Sequence, residues 1–301
     1  MYKIGSFNCR GFGMGASKDI SIFANMLLKE EFDIVALQEI KGTLALNRIL
    51  SALPSYWKGV ADDSPYVNDY AFIWNTECFM LANSEETGTL RTYTPRIYKQ
   101  YKVDRKSSQK DLIREPFYAR FFPVGGAAPY IEIRLINAHI RFSKGSQETD
   151  SSEQSIGAVM MRKNEYDVLT KAIYAKEADK RYGNNRPAYT ILLGDYNLNL
   201  KESGAGSPYL VESFEIVDGR DKKRIKTIQS ELSTLKKPDE KADEHFANNY
   251  DHFSYDECRY SGLEIKSYRI DTVQKYCDGD YEKHLKSVSD HVPVAMEVEL
   301  R

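Results

Sequence analysis

The most constraining feature of the chain is a set of short apolar runs that end abruptly in polar residues. Ile34-Val35-Ala36-Leu37 stops at Gln38-Glu39, and Tyr189-Thr190-Ile191-Leu192-Leu193 stops at Gly194-Asp195. Near-continuous apolar runs of four or five residues mark strands covered on both faces. With the helices that follow, such strands are expected to build a domain of strands and helices. Further strands are expected at residues 3–9, 70–74, 79–82, 118–124 and 130–139, with closing strands at 250–255, 263–273 and 292–300. Three helices fit the spacing. Ser17 is the expected N-cap of the first, with Ile20, Phe23, Ala24, Leu27 and Leu28 on its apolar face. The others are expected over 44–53 and 155–178. Neither an internal repeat nor an interdomain linker interrupts the 301 residues, so one domain spanning 1–301 is expected, with long surface loops near 84–117 and 218–249.

Composition narrows the function classes. A hydrophobic share of 42% with 12% aromatics argues against disorder, and a net charge of -2 excludes a uniformly basic nucleic-acid coat. A local basic stripe is still enough to hold nucleic acid. Cys9, Cys78, Cys258 and Cys277 are too scattered for a disulfide framework or a zinc ribbon. No apolar run approaches the roughly 20 residues of a membrane span, and no leader-like segment opens the chain. A cytoplasmic protein without membrane contact is the expectation, although a mature secreted chain would look the same. The sequence points to no protein partner.

The chemistry sits at the strand ends. Asn8, Gln38-Glu39, His139 and Asp195-Tyr196-Asn197 end apolar strands, and Ser289-Asp290-His291 precedes another. Oxygen donors on Asn8, Glu39, Asp195, Asn197 and Asp290 suit a hard cation such as Mg²⁺. His139 and His291, two of only five histidines, can move protons near neutral pH. No GxSxG, HExxH or GxxxxGK[ST] motif is present, so water activated beside a metal is favoured over a side-chain nucleophile.

In this order, the segments Phe7-Asn8-Cys9, Ala36-Leu37-Gln38-Glu39, Asn137-Ala138-His139, Leu193-Gly194-Asp195-Tyr196-Asn197, Tyr250-Asp251 and Ser289-Asp290-His291-Val292-Pro293-Val294 resemble the endonuclease/exonuclease/phosphatase superfamily. They span residues 7 to 294. The resemblance implies a four-layered α/β sandwich: two packed, mostly antiparallel β-sheets flanked by helices. It also implies metal-dependent hydrolysis of a phosphodiester. Glu39 would be the principal Mg²⁺ ligand, with Asn8 and Asp290 beside it and Mn²⁺ a substitute. His291 would be the general base or the phosphate-contacting imidazole, oriented by Asp251. His139 would be the second imidazole. Asp195 and Asn197 would position water and phosphate oxygens.

Within the superfamily the chain is most similar to deoxyribonuclease I-like nucleases. His139 stands where abasic-site endonucleases carry Tyr. Leu198-Asn199-Leu200 departs from the aromatic and Arg that inositol polyphosphate phosphatases carry after their GDxN motif. Arg114-Glu115-Pro116 resembles a deoxyribonuclease I segment whose Arg meets the DNA backbone. Tyr66 corresponds to a groove-stacking Tyr. Asn68 stands where that family has a Glu that pairs with the imidazole, and Asp69 is one place on. Residues 91–120 carry nine cations against three carboxylates, with tyrosines interleaved, and Arg220, Lys222, Lys223, Arg224 and Lys226 form a second basic run. These features imply a DNA endonuclease that leaves 5′-phosphate and 3′-hydroxyl ends. The alternatives are a sphingomyelinase-like phosphodiesterase acting on a lipid head group or another small or protein-linked phosphodiester, and a catalytically inactive binding scaffold.

Overall fold

The structure is a computed structural model. It describes residues 1–15, 17–63, 69–82, 85, 87–90, 114–125, 130–141, 158–182, 186–200, 210, 212–218, 221–236 and 245–300. In chain order its strands are β1 (Tyr2–Phe12), β2 (Ile34–Ile40), β3 (Trp57–Ala61), β4 (Tyr70–Asn75), β5 (Phe79–Leu81), β6 (Gly88–Thr89), β7 (Phe117–Pro123), β8 (Glu132–His139), β9 (Ala188–Asp195), β10 (Ser213–Asp218), β11 (Asp221–Ile228), β12 (Asp251–Asp256), β13 (Ile265–Arg269) and β14 (Val294–Val298). One sheet runs β13-β14-β1-β2-β4-β3. The other runs β10-β11-β12-β9-β8-β7-β5, with β6 paired to β7. Among the described strands only β1–β2 and β8–β9 pair in parallel, and the remaining pairs are antiparallel.

The apolar runs are continuous because each face of each sheet is covered. In β2, Ile34 and Ala36 enter the core between the sheets, while Val35 and Leu37 enter a second core. There they meet Phe23 and Leu27 of the helix Ile20–Lys29, and Leu46 and Ile49 of the helix Gly42–Leu50. In β8, Ile133 and Leu135 face the other sheet, while Ile136 and Ala138 face a third core with Tyr166, Leu169 and Ile173. The period-two alternation of strand side chains produces this division. The molecule is therefore a helix–sheet–sheet–helix sandwich. No helix among the described residues is long and apolar enough to cross a membrane.

Several expectations need correction. Asp19, not Ser17, caps the first helix, its carboxylate accepting the backbone N–H groups of Ser21 and Ile22. The long helix is described from Ala158 and contains a π-helical stretch, Leu169–Tyr174, before it ends at Asp179. The region read as loop after residue 218 carries β11, whose Lys223, Ile225 and Thr227 are buried while Lys222 and Arg224 are exposed. The tail of the expected strand 263–273 becomes the helix Thr272–Tyr276, and a further helix spans Tyr281–Ser287.

Gly194 shows how tightly the strand ends are packed. Its φ is +140°, and a Cβ there would lie 1.8 Å from the Ala138 carbonyl oxygen on β8. That oxygen belongs to the backbone and cannot swing away. Gly194→Ala is expected to cost about 3 kcal/mol, the upper end of overpacking costs, whereas Gly15→Ala, which meets nothing within 4 Å, should stay within about 0.5 kcal/mol of wild type. Urea denaturation of the two variants checks this.

Candidate active site

The parallel pairs β1–β2 and β8–β9 bring their C-terminal ends to one edge of the sandwich, where the polar residues collect. Asn8, Glu39, His139, Asp195, Asn197, Asp290 and His291 line a single cleft of about 300 Å³ there. Arg10, Thr234, Leu235, Asn248 and Tyr250 complete its wall. Asp251 stands behind His291. Tyr66 and Asn68 lie outside the described residues, as does most of the basic segment 91–120.

Asp195 is the hub. It is buried, and its Oδ2 accepts the Asn8 amide at 3.0 Å across the gap between the sheets. The same oxygen lies 3.5 Å from His139 Nε2 and 3.6 Å from His291 Nε2. Its Oδ1 accepts the Asn197 backbone N–H at 2.9 Å. Burial pushes its carboxyl above the ordinary value. The charges of His291 and His139 and the Asn8 hydrogen bond oppose this, and Asp251 adds to it.

Each imidazole is backed by its own carboxylate. His291 Nδ1 meets Asp251 Oδ2 at 2.8 Å, and the same oxygen accepts the Ser233 hydroxyl at 2.6 Å. Burial alone would lower the His291 pKa. The carboxylates of Asp251, Asp195 and Asp290 outweigh burial and push it up to about 10. His139 Nδ1 meets Asp69 Oδ2 at 3.1 Å, and Tyr70 Oη accepts the His139 backbone N–H at 3.0 Å. The residue beside this imidazole is therefore Asp69, one place from Asn68. Burial raises the Asp69 carboxyl, but His139, Arg114 and Lys41 overcome it and hold it below its ordinary value. Lys41 Nζ is 2.6 Å from Asp69 Oδ1.

Arg114 is half-buried in this group, touching His139 Nδ1 with its Nη1 and lying 3.6 Å from Asp69 Oδ2. Arg120 is a different case. It is buried, bidentate on Glu132 at 2.8 and 3.0 Å, and stacked on Tyr182, so it contributes nothing to a basic surface. The second basic run is also partly neutralised: Lys223 pairs with Asp179 at 2.6 Å and Arg224 with Glu257 at 3.0 Å.

Backbone strain concentrates here. Glu39, Asn197 and Arg10 have φ values of 60°, 50° and 48°. Left-handed conformations in residues other than glycine cost of order 1 kcal/mol each and persist where the surroundings enforce them.

No family model matches the sequence, and no curated protein matches it either. Solved structures do. An endonuclease/exonuclease/phosphatase family protein from Bacteroides thetaiotaomicron superposes with a TM-score of 0.55 at 14% identity, covering 99% of this chain and 94% of that one. TDP2 of D. rerio, complexed with single strand DNA product, gives 0.56 at 13% identity with 99% of both chains covered. A functionally unknown conserved protein from Enterococcus faecalis V583 gives 0.53 at 13%, over 99% of this chain and 100% of that one. The fold is that of the endonuclease/exonuclease/phosphatase proteins.

Two parts of the cleft can be weighed as metal donors. Asp195, Asp251 and His291 offer ligand atoms within 4.8 Å of one another. All three are buried, and they are largely committed to one another, to Asn8 and to Ser233. One buried oxygen of this group, Asp251 Oδ1, has no partner among the described residues. Glu39 and Asp290 are more accessible, with side chains 26% and 40% exposed. The Asn8 amide oxygen accepts the Arg10 backbone N–H, Asp290 lies 3.5 Å from Arg10 Nε, and the three residues line one cleft with oxygen donors of the kind a hard cation takes. The residues present therefore fit a divalent ion.

Sequence reasoning passed over the support beneath Asp290. His284 is fully buried, with Nε2 2.8 Å from the Thr272 hydroxyl and Nδ1 2.8 Å from the Ser289 carbonyl oxygen. Ser289 Oγ in turn donates to the Asn8 carbonyl oxygen at 2.7 Å. Burial lowers the His284 pKa to about 4. Because the folded value lies below the unfolded value near 6.5, this stabilisation is complete above pH 6.5 and is lost as pH falls towards 4. A loss of roughly 3 kcal/mol is expected across that window. His284→Gln should show a correspondingly smaller acid loss when denaturation midpoints at pH 7 and pH 4 are compared.

Proposed function

We propose that the protein is a divalent-metal-dependent phosphodiesterase that cleaves the nucleic-acid backbone, with DNA as its substrate, leaving 5′-phosphate and 3′-hydroxyl ends. The observation that carries this reading is the convergence of two carboxylate-backed imidazoles on one buried aspartate, beside an accessible set of oxygen donors. Glu39, Asn8 and Asp290 would hold Mg²⁺, with Mn²⁺ able to replace it. When bound, such an ion supplies charge to the phosphate oxygens and lowers the pKa of nearby water.

The chain's own groups divide the remaining work. Asp195 accepts the proton of the attacking water, and Asn197 helps to position that water. As the water oxygen bonds to phosphorus, the P–O3′ bond breaks in line on the opposite side. His291, with Nδ1 held by Asp251, presents Nε2 as a donor to a phosphate oxygen. That assignment prefers the phosphate-contacting role over the general-base role. His139, held by Asp69, donates towards the leaving O3′. Arg114, beside His139 and Asp69, is the proposed contact to a phosphate beyond the scissile one, because a guanidinium can bind phosphate in a bidentate manner. D. rerio TDP2, solved with a single strand DNA product, supports nucleic acid as the substrate class.

Supercoiled plasmid with purified protein tests the proposal. Nicking is expected in Mg²⁺ and not in EDTA. It should fall to background in Glu39→Ala and by about 10²- to 10⁴-fold in His139→Ala, the range for loss of a general acid. Undiminished nicking by Glu39→Ala, or intact DNA with folded wild-type protein, would overturn it.

A further inference from the structure

A second cavity system lies away from the cleft, at the opposite end of β9. One cavity of about 690 Å³ continues into another of about 390 Å³, and both are lined by Arg181, Ala188 and Arg259. Ala188 begins β9 and Asp195 ends it. At about 3.3 Å per residue, the cavity and the cleft are roughly 23 Å apart.

The wall is strongly cationic. Lys222 and Arg186 join Arg181 and Arg259 around it. None of these four has a carboxylate partner among the described residues. Their neighbours are different. Lys223 is neutralised by Asp179 at 2.6 Å, Arg134 is held by Glu132 at 2.6 Å, and Asp256 accepts the backbone N–H groups of Arg224 and Cys258. Asp179 and Asp256 also line the wall, the first paired with Lys223 and the second keeping its charge, so the four unpaired cations leave a net positive concavity that an anion would relieve.

Two further observations point to a ligand. Arg186 is held 4.2 Å from the ring centres of both Phe122 and Tyr130, which preorganises its planar head. Thr190, 2% exposed, lines the cavity, and its hydroxyl has no hydrogen-bond partner among the described residues. A buried hydroxyl without a partner is costly and rare.

We infer that this cavity is a second, non-catalytic site for a small phosphate-bearing anion of pyrophosphate or nucleoside polyphosphate type. Its volume falls in the range of small-molecule pockets. Guanidinium groups match phosphate oxygens geometrically. The distance from the cleft and the concave shape favour a compact ligand over a continuation of the nucleic-acid track.

Calorimetry of the full chain in EDTA, with pyrophosphate and separately with ATP, tests this. Saturable binding of one equivalent is expected in wild type and in His291→Ala, and at least a tenfold loss of affinity in Arg181→Glu/Arg259→Glu. The melting temperature should rise with pyrophosphate in wild type and not in the double variant. ATP alone binding would place the recognition in a nucleoside, and pyrophosphate binding as well would place it in the phosphates; either supports the site if the double variant loses it. Should the double variant fail to fold, Lys222→Glu, at an exposed position, replaces it. No binding at millimolar anion, or binding lost in His291→Ala and retained in the double variant, would overturn the inference. So would a loss of affinity in the double variant confined to single-stranded oligonucleotide, which would make the face a nucleic-acid surface.

Discussion

The arrangement depends on a few polar side chains that cross the apolar space between the two sheets. Gln38 on β2 donates to Ser6 Oγ at 3.1 Å and to Asn137 Oδ1 on β8 at 2.8 Å, and Asn137 donates back to the Leu37 carbonyl oxygen at 2.9 Å. Both residues are fully buried. The Gln38 and Asn137 amide N–H groups and the Asn137 amide oxygen find their partners only in this register, although Gln38 Oε1 has none among the described residues, so the bridge penalises any slip of one sheet over the other. A one-residue shift would also turn every strand's apolar set to the wrong face. With the sheets fixed in this way, Asn8 of β1 meets Asp195 of β9, and a cleft with walls from two separate sheets has a defined shape. Rigid strands hold the proposed reacting groups at the end of the sandwich where the cleft lies.

The electrostatics of the cleft follow from that placement. Asp195 is too buried to hold its charge alone, and the two imidazoles beside it offset the cost of burial. Each imidazole is in turn fixed by a carboxylate outside the hub. Lys41 and Arg114 reinforce Asp69 on one side, and Ser233 reinforces Asp251 on the other. Strain at Glu39, Asn197 and Arg10 lies at the same rim. Stability given up at a strand end is consistent with a site held in one geometry for chemistry.

Much of this was legible in the sequence because strands covered on both faces leave a strong apolar signature and stop sharply. The polar residues at their ends, Asn8, Glu39, His139 and Asp195, could be read directly as one edge of a sandwich. Other parts left weaker traces. β11 alternates Lys223, Ile225 and Thr227 inward with charged residues outward, so a strand near the edge of the sheet read as a basic loop. Arg120 carries the same charge as the residues before it, and only the three-dimensional placement of Glu132 beside it reveals a buried ion pair. Asp69 was visible as a neighbour of Asn68, but the choice between them depends on which side chain the start of β4 turns towards His139. His284 had no signature, because its partners, Thr272 and Ser289, are single polar residues that sequence spacing does not connect.

Within the cleft the proposed roles divide: Glu39, Asn8 and Asp290 would hold the ion, while His291 is hydrogen-bonded to Asp251 at 2.8 Å and turns its other nitrogen towards Asp195 at 3.6 Å. Calorimetric titration of Mn²⁺ into wild type, Glu39→Ala and Asp251→Asn separates the two groups. Binding of one ion, lost in Glu39→Ala and retained in Asp251→Asn, is the expected result. Binding retained in Glu39→Ala and lost in Asp251→Asn would overturn this division and move the metal to the buried cluster.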